Sequence, residues 1–94
     1  MNLTNDALLM RAAAAAGAIS SMPNKELLAI PTEGFVAEYN RTREALVRLN
    51  PAKKEAAPPE VVGQCRYVEL LAYYEQLRGL LDDGPAQAVN EWGR

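Results

Sequence analysis

Histidine is absent from this 94-residue sequence, and cysteine occurs only once, at Cys65. Without histidine the chain lacks the commonest general base and metal ligand, and every histidine-based catalytic triad is excluded. A single cysteine excludes an internal disulfide, and carboxylates alone would have to complete a zinc site, which is unusual. We therefore expect no metal, no cofactor and no enzymatic activity. The single thiol is typical of a reducing, cytoplasmic location.

Long apolar runs are also missing, and the charge is close to balanced. The longest uncharged apolar stretch, Ala12 to Ile19, is far shorter than the roughly 20 residues that span a bilayer. The net charge is −2 and the pI about 5.1, so the chain as a whole repels polyphosphate and nucleic acid is an unfavoured partner. Hydrophobic residues make up 49% of the sequence, which excludes disorder, and the length fits one domain over residues 1–94.

What the sequence does contain is a series of helical segments separated by prolines. The first is expected over about residues 5–20, with Thr4 or Asn5 as its N-cap. A second, short helix is expected over about residues 24–29, because Pro31 disfavours helix in the residue before it. The first helix has one apolar stripe with helical spacing, formed by Leu8, Ala12, Ala15 and Ile19.

The clearest helical pattern begins after Thr32, the expected N-cap, and ends at about Leu49, before Pro51. Its apolar seam recurs at steps of four and three residues and comprises Phe35, Tyr39, Thr42, Leu46 and Leu49. Residues 51–59 contain three prolines and two lysines, a composition typical of a linker between helices. Residues 85–94 form a short tail that includes Trp92 and can add another short helix.

A last long helix is expected over about residues 60–82, with Pro59 near its first turn. Its larger apolar residues project to one side: Leu70, Leu71, Tyr74, Leu77 and Leu81. Smaller residues project to the other: Val61, Cys65, Val68, Ala72 and Gly79. A helix that is apolar on two sides needs two neighbours. We expect the small side to pack on the first helix and the large side on the Phe35–Leu49 seam, or a second subunit to cover one of them.

These patterns predict an all-α fold, a small helical bundle of three main helices plus one or two short helices. The apolar surplus on residues 60–82 favours a protein-protein interaction module, such as an adaptor, an inhibitor or an assembly subunit, whose partner is another protein or a second copy. Tyrosine and tryptophan are enriched at interfaces. The candidate partner-binding residues are Tyr67, Tyr73, Leu80 and Trp92.

Two alternatives remain open. The short helix, turn and longer helix of residues 24–48 are loosely similar to a helix-turn-helix, and arginine and asparagine are residues that read base edges. The candidate nucleic-acid-binding residues are Asn40, Arg41, Arg43, Arg48, Lys53 and Lys54. A third possibility is a small enzyme with Cys65 as its nucleophile, activated by Arg66, although a packed cysteine in the core is the simpler interpretation.

Overall fold

A computed structural model of the chain describes residues 4–82, which contain four α-helices, one 3₁₀ helix and no β-strand. The helices are α1 (Asn5–Ser20), α2 (Asn24–Leu27), α3 (Glu33–Leu49) and α4 (Tyr67–Leu81), and the 3₁₀ helix spans Pro51–Ala56. Three long helices and one or two short ones were expected, and the all-α prediction is confirmed. None of the helices in this part of the chain is long and apolar enough to cross a membrane.

The starts of α1 and α3 are fixed by threonine caps, as predicted. The hydroxyl of Thr4 accepts a hydrogen bond from the Ala7 amide at 3.1 Å, and that of Thr32 accepts one from the Phe35 amide at 3.3 Å. Each bond satisfies one of the backbone N–H groups that a helix leaves unpaired at its start. Pro51 follows α3 and opens the 3₁₀ helix, so the first part of the predicted linker is helical after all.

The core lies where α1, α3 and α4 meet. Helix α4 packs most extensively on α1, and α3 contacts both. The predicted α1 stripe is buried except that Ala16 takes the place of Ala15, and the middle of the α3 seam is buried while Leu49 is exposed. The largest fully buried side chains are Tyr39, Tyr74, Leu8, Ile19, Leu46, Leu70 and Leu77.

The prediction for the last helix is wrong in two respects. Helix α4 begins at Tyr67 rather than near residue 60, so Val61 and Cys65 precede it in a non-helical segment. The large apolar side is buried against both α1 and α3, but the small side is open to solvent, with Val68 41% exposed and Ala72 and Gly79 also exposed. Within residues 4–82 no helix covers the small side, and the expectation that the first helix packs there is wrong because α1 packs on the large side.

The late start of α4 coincides with a long-range contact between α3 and the segment before α4. The amide side chain of Asn40 bonds both main-chain groups of Val61: Nδ2 donates to the carbonyl oxygen and Oδ1 accepts from the N–H, each at 2.9 Å. In a helix that began near residue 60 the Val61 carbonyl oxygen would accept from the Cys65 N–H, whereas here it accepts from Asn40. Helix α4 starts only after Arg66, whose backbone N–H donates to the Glu69 carboxylate at 2.7 Å.

Candidate binding groove between α3 and the segment before α4

A groove of about 430 Å³ lies between the N-terminal half of α3 and the non-helical segment that precedes α4. Ile30, Pro31, Glu33, Val36, Ala37, Asn40, Val61, Val62, Gly63, Gln64 and Cys65 line it. A smaller hollow of about 190 Å³ shares Ile30, Gln64 and Cys65 with it and adds Arg66 and Glu69. We call the two together the α3 groove.

Exposed apolar side chains line two of the hollows: Met10 lines the one between α1 and α4, and two aliphatic side chains line the α3 groove. Ile30 is 52% exposed and Val62 is 89% exposed, and both line the groove. Leu28 is also exposed, and its carbonyl oxygen accepts a hydrogen bond from the guanidinium of Arg66, which lines the smaller part of the groove. A second hollow of similar volume, between α1 and α4, carries the Glu75–Arg78 ion pair on its wall. Clustered exposed apolar residues mark an interaction surface, whereas single ones are ordinary.

Three side chains of α3 hold the far wall of the groove in place. Besides the two Asn40 bonds to Val61, the Tyr39 hydroxyl donates to the Pro59 carbonyl oxygen and Arg43 Nε donates to the Pro58 carbonyl oxygen, each at 2.7 Å. The end of the groove beside Ile30 is held by the Tyr67 N–H, which donates to the carbonyl oxygen of Ala29 at 3.0 Å. The groove is therefore formed before anything binds, which lowers the ordering cost of binding.

The titratable groups at the groove do not favour nucleophilic chemistry. Cys65 is half-buried, and burial, reinforced by the nearby Glu69 carboxylate, raises the pKa of its thiol. A raised pKa keeps the thiol protonated, whereas a nucleophilic cysteine needs the thiolate. Burial also raises the pKa of the Tyr39 phenol, despite the opposing influence of Arg43. Within residues 4–82, no group of three or more His, Cys, Asp or Glu residues could hold a metal ion.

The predicted partner-binding tyrosines pack on the core instead of standing free. Tyr67 lies edge-on to Phe35 with ring centroids 5.3 Å apart, and Tyr73 lies 5.7 Å from the Tyr39 ring. Leu80 is half-buried against the same core, and Trp92 lies outside the described residues. These residues retain some exposed surface, but the most exposed apolar surface near α3 belongs to other side chains.

The six predicted nucleic-acid-binding residues do not share one surface. Asn40 and Arg43 are turned to the wall of the α3 groove, and Lys53 Nζ donates to the Leu80 carbonyl oxygen at 2.5 Å. Arg41 and Arg48 line a separate hollow with Arg11 and Glu44, and Lys54 is exposed on the 3₁₀ helix. Arg41 also forms an ion pair with Glu38 at 3.0 Å. Three of the six side chains are thus occupied in holding the fold together.

Sequence reasoning did not identify Ile30, Val36, Val61 or Val62 as lining a shared surface. One signal was present: the pair Val61–Val62 follows Pro58–Pro59 and precedes Gly63, a setting that resists helix. Comparison of the chain with models of protein families, with curated proteins and with solved structures finds no match.

Proposed function

We propose that this chain is a non-enzymatic protein-binding module that holds a short apolar segment of a partner protein in the α3 groove. The observation that carries the proposal is the exposure of Ile30 and Val62 on a groove whose walls are already fixed by hydrogen bonds. Covering such a side chain contributes about 1.5–3 kcal/mol when it is fully removed from water. Because Ile30 is already about half buried, the two side chains together contribute less than twice this amount, which suits a weak, reversible interaction.

The chemistry of the groove supports binding over catalysis. Its polar side chains are Glu33, Asn40, Gln64, Arg66 and Glu69, together with the protonated Cys65 thiol. Asn40 is engaged by Val61, and the Glu69 carboxylate accepts from the Arg66 N–H. The groove therefore offers an occupant both apolar contact and polar or charged groups, a combination found at protein interfaces.

The same contacts count against the nucleic-acid alternative. Four of the candidates, Asn40, Arg41, Arg43 and Arg48, have side chains that suit base reading. Asn40 and Arg43 are half-buried in hydrogen bonds to the segment before α4, and Arg41 is ion-paired with Glu38. The net charge of −2 adds no long-range attraction to phosphate. Absence of any salt-sensitive retardation of duplex DNA by the protein would support this choice.

A selection from a random peptide library displayed on phage, with the full chain as bait, tests the proposal. We expect the selected peptides to be rich in aliphatic residues and to shift the amide resonances of the α3 groove when they bind. Val62→Asp places a carboxylate on this surface and is expected to weaken binding at least tenfold. Met10→Asp is the matched control, because Met10 is also apolar and 73% exposed but lies on α1, away from the groove.

Two results would contradict the proposal. One is a set of selected peptides whose binding is unaffected by Val62→Asp, or is weakened equally by Met10→Asp. The other is sedimentation showing that the free protein self-associates through the α3 groove, with Val62→Asp restoring a monomer. In that case the occupant is a second copy rather than a segment of another protein.

A further inference from the structure

The α3 groove carries carboxylates that no lysine or arginine neutralises. Glu33 lines its larger part and Glu69 its smaller part, and neither forms a salt bridge within residues 4–82. On the outer surface, by contrast, Glu38 and Glu75 are each paired with an arginine. The groove therefore combines exposed aliphatic side chains with carboxylates that form no salt bridge within the described residues.

The one cation lining this region within the described residues is Arg66, and its contacts limit what it can offset. Its guanidinium donates to the Leu28 carbonyl oxygen, which fixes the group against the main chain. Glu60, directly before Val61, is exposed and adds another negative charge next to the wall. Outside the lining, Glu60 is matched by Arg43, which donates to the Pro58 carbonyl oxygen; the lining residues themselves carry two carboxylates and one guanidinium, a net charge of −1.

We propose, building on the proposed function, that the segment recognised by the α3 groove is basic: one or two aliphatic side chains flanked by lysine or arginine. The aliphatic side chains cover Ile30 and Val62, and the flanking cations pair with Glu33 and Glu69. Complementary charges at an interface rim select among partners and speed association. The same carboxylates repel the anionic surface of a lipid bilayer, which favours a protein segment over a membrane.

Three synthetic peptides test this inference, each with a Val-Ala-Ile centre and two identical residues on either side: lysine, serine or glutamate. Binding to the full chain is measured by titration of its amide resonances. We expect the lysine peptide to bind about tenfold more tightly than the serine peptide, and the glutamate peptide to bind most weakly. The preference is expected to shrink in 0.5 M salt, where charges on exposed groups are screened over a few ångströms.

Charge-neutral variants locate the effect. Glu33→Gln and Glu69→Gln are each expected to reduce the lysine-over-serine preference by about two- to fivefold, the range for exposed ion pairs. Glutamine at residue 69 can still accept the Arg66 N–H, so the start of α4 is kept. Glu44→Gln is the matched control on the other face of α3, beside Arg41 and Arg48, and is expected to leave the preference unchanged.

Each outcome bears on a different claim. If the serine and lysine peptides bind the groove equally, the charge inference is overturned and the proposed function stands. If none of the three peptides shifts the groove resonances, both fail. Binding to vesicles of phosphatidylcholine with phosphatidylserine, with no discrimination among the peptides, would replace the protein segment with a lipid surface.

Discussion

Removing the Asn40 side-chain amide is the most direct test of how the α3 groove is built. The two hydrogen bonds to Val61, both at 2.9 Å, are lost together in Asn40→Ala. At about 0.5–1.5 kcal/mol of net stability for each bond, we expect the free energy of unfolding to fall by about 1–3 kcal/mol. For a domain of this size that lowers the melting temperature by about 4–8 °C per kcal/mol.

The measurement is urea unfolding combined with hydrogen exchange at Val61. In the parent protein the Val61 N–H donates to the Asn40 side chain and is expected to exchange slowly, whereas in Asn40→Ala it should exchange like a free amide. Gln76→Ala, an exposed position on α4, is the control and is expected to change stability by less than about 0.5 kcal/mol. An unchanged unfolding free energy with unchanged Val61 exchange in Asn40→Ala would refute the account of the groove wall.

Asn40→Asp adds a pH dependence to the same test. The new carboxylate can still accept from the Val61 N–H, but it faces the Val61 carbonyl oxygen with no proton to donate. Its folded-state pKa is therefore raised above the unfolded value of about 3.9, because only the protonated form makes both bonds. A raised pKa means that its stabilising contribution is complete below the unfolded value and is lost as the pH rises through the folded value. The difference in the free energy of unfolding between Asn40→Asp and the parent protein should therefore become smaller at acidic pH.

The core yields four further predictions. Tyr74→Phe should leave the stability unchanged or raise it, because the buried Tyr74 hydroxyl has no hydrogen-bond partner within residues 4–82. Tyr39→Phe loses the hydrogen bond to the Pro59 carbonyl oxygen and should lower the free energy of unfolding by about 0.5–1.5 kcal/mol, measured by thermal unfolding. Leu77→Ala should cost about 2–5 kcal/mol in urea unfolding, because Leu77 is fully buried. Burial raises the pKa of Tyr74 to about 12. The stabilising contribution of its protonated form is therefore present below the unfolded pKa of about 10 and is lost as the pH rises towards 12. Absorbance at 295 nm during alkaline titration should show this late ionisation, and Tyr74→Phe should remove it.

The long helices α1 and α3 were predictable because residues next to their ends determine where they begin and end. Thr4 and Thr32 cap α1 and α3, and Pro51 stops α3, so a reading of neighbouring residues is enough to place both. The start of α4 was not predictable in this way. Pro58–Pro59 and Gly63 are local signals against helix around Val61, but the contact that holds Val61 is with Asn40, twenty-one positions earlier, and no local pattern predicts it.

The α3 groove was missed for the same reason. Ile30 and Val62 end two short apolar stretches that lie thirty-two positions apart in the chain, and their common surface exists only because the fold brings both stretches to α3. The interface was instead assigned to Tyr67 and Tyr73, since aromatic residues are the usual anchors of interfaces. In the fold those rings pack on Phe35 and Tyr39, where they help to fill the core.

The two binding hypotheses compete for the same side chain, because Asn40 cannot serve both. Reading adenine takes both the oxygen and the nitrogen of an asparagine amide, and both are already bonded to Val61. Contact with a base would require Asn40 to release Val61, at a cost of about 1–3 kcal/mol, and would free the groove wall that Val61 and Val62 form. A peptide in the α3 groove and a base on Asn40 should therefore exclude each other. Simultaneous binding of a groove peptide and duplex DNA would show that any DNA contact is made elsewhere, by exposed arginines such as Arg48.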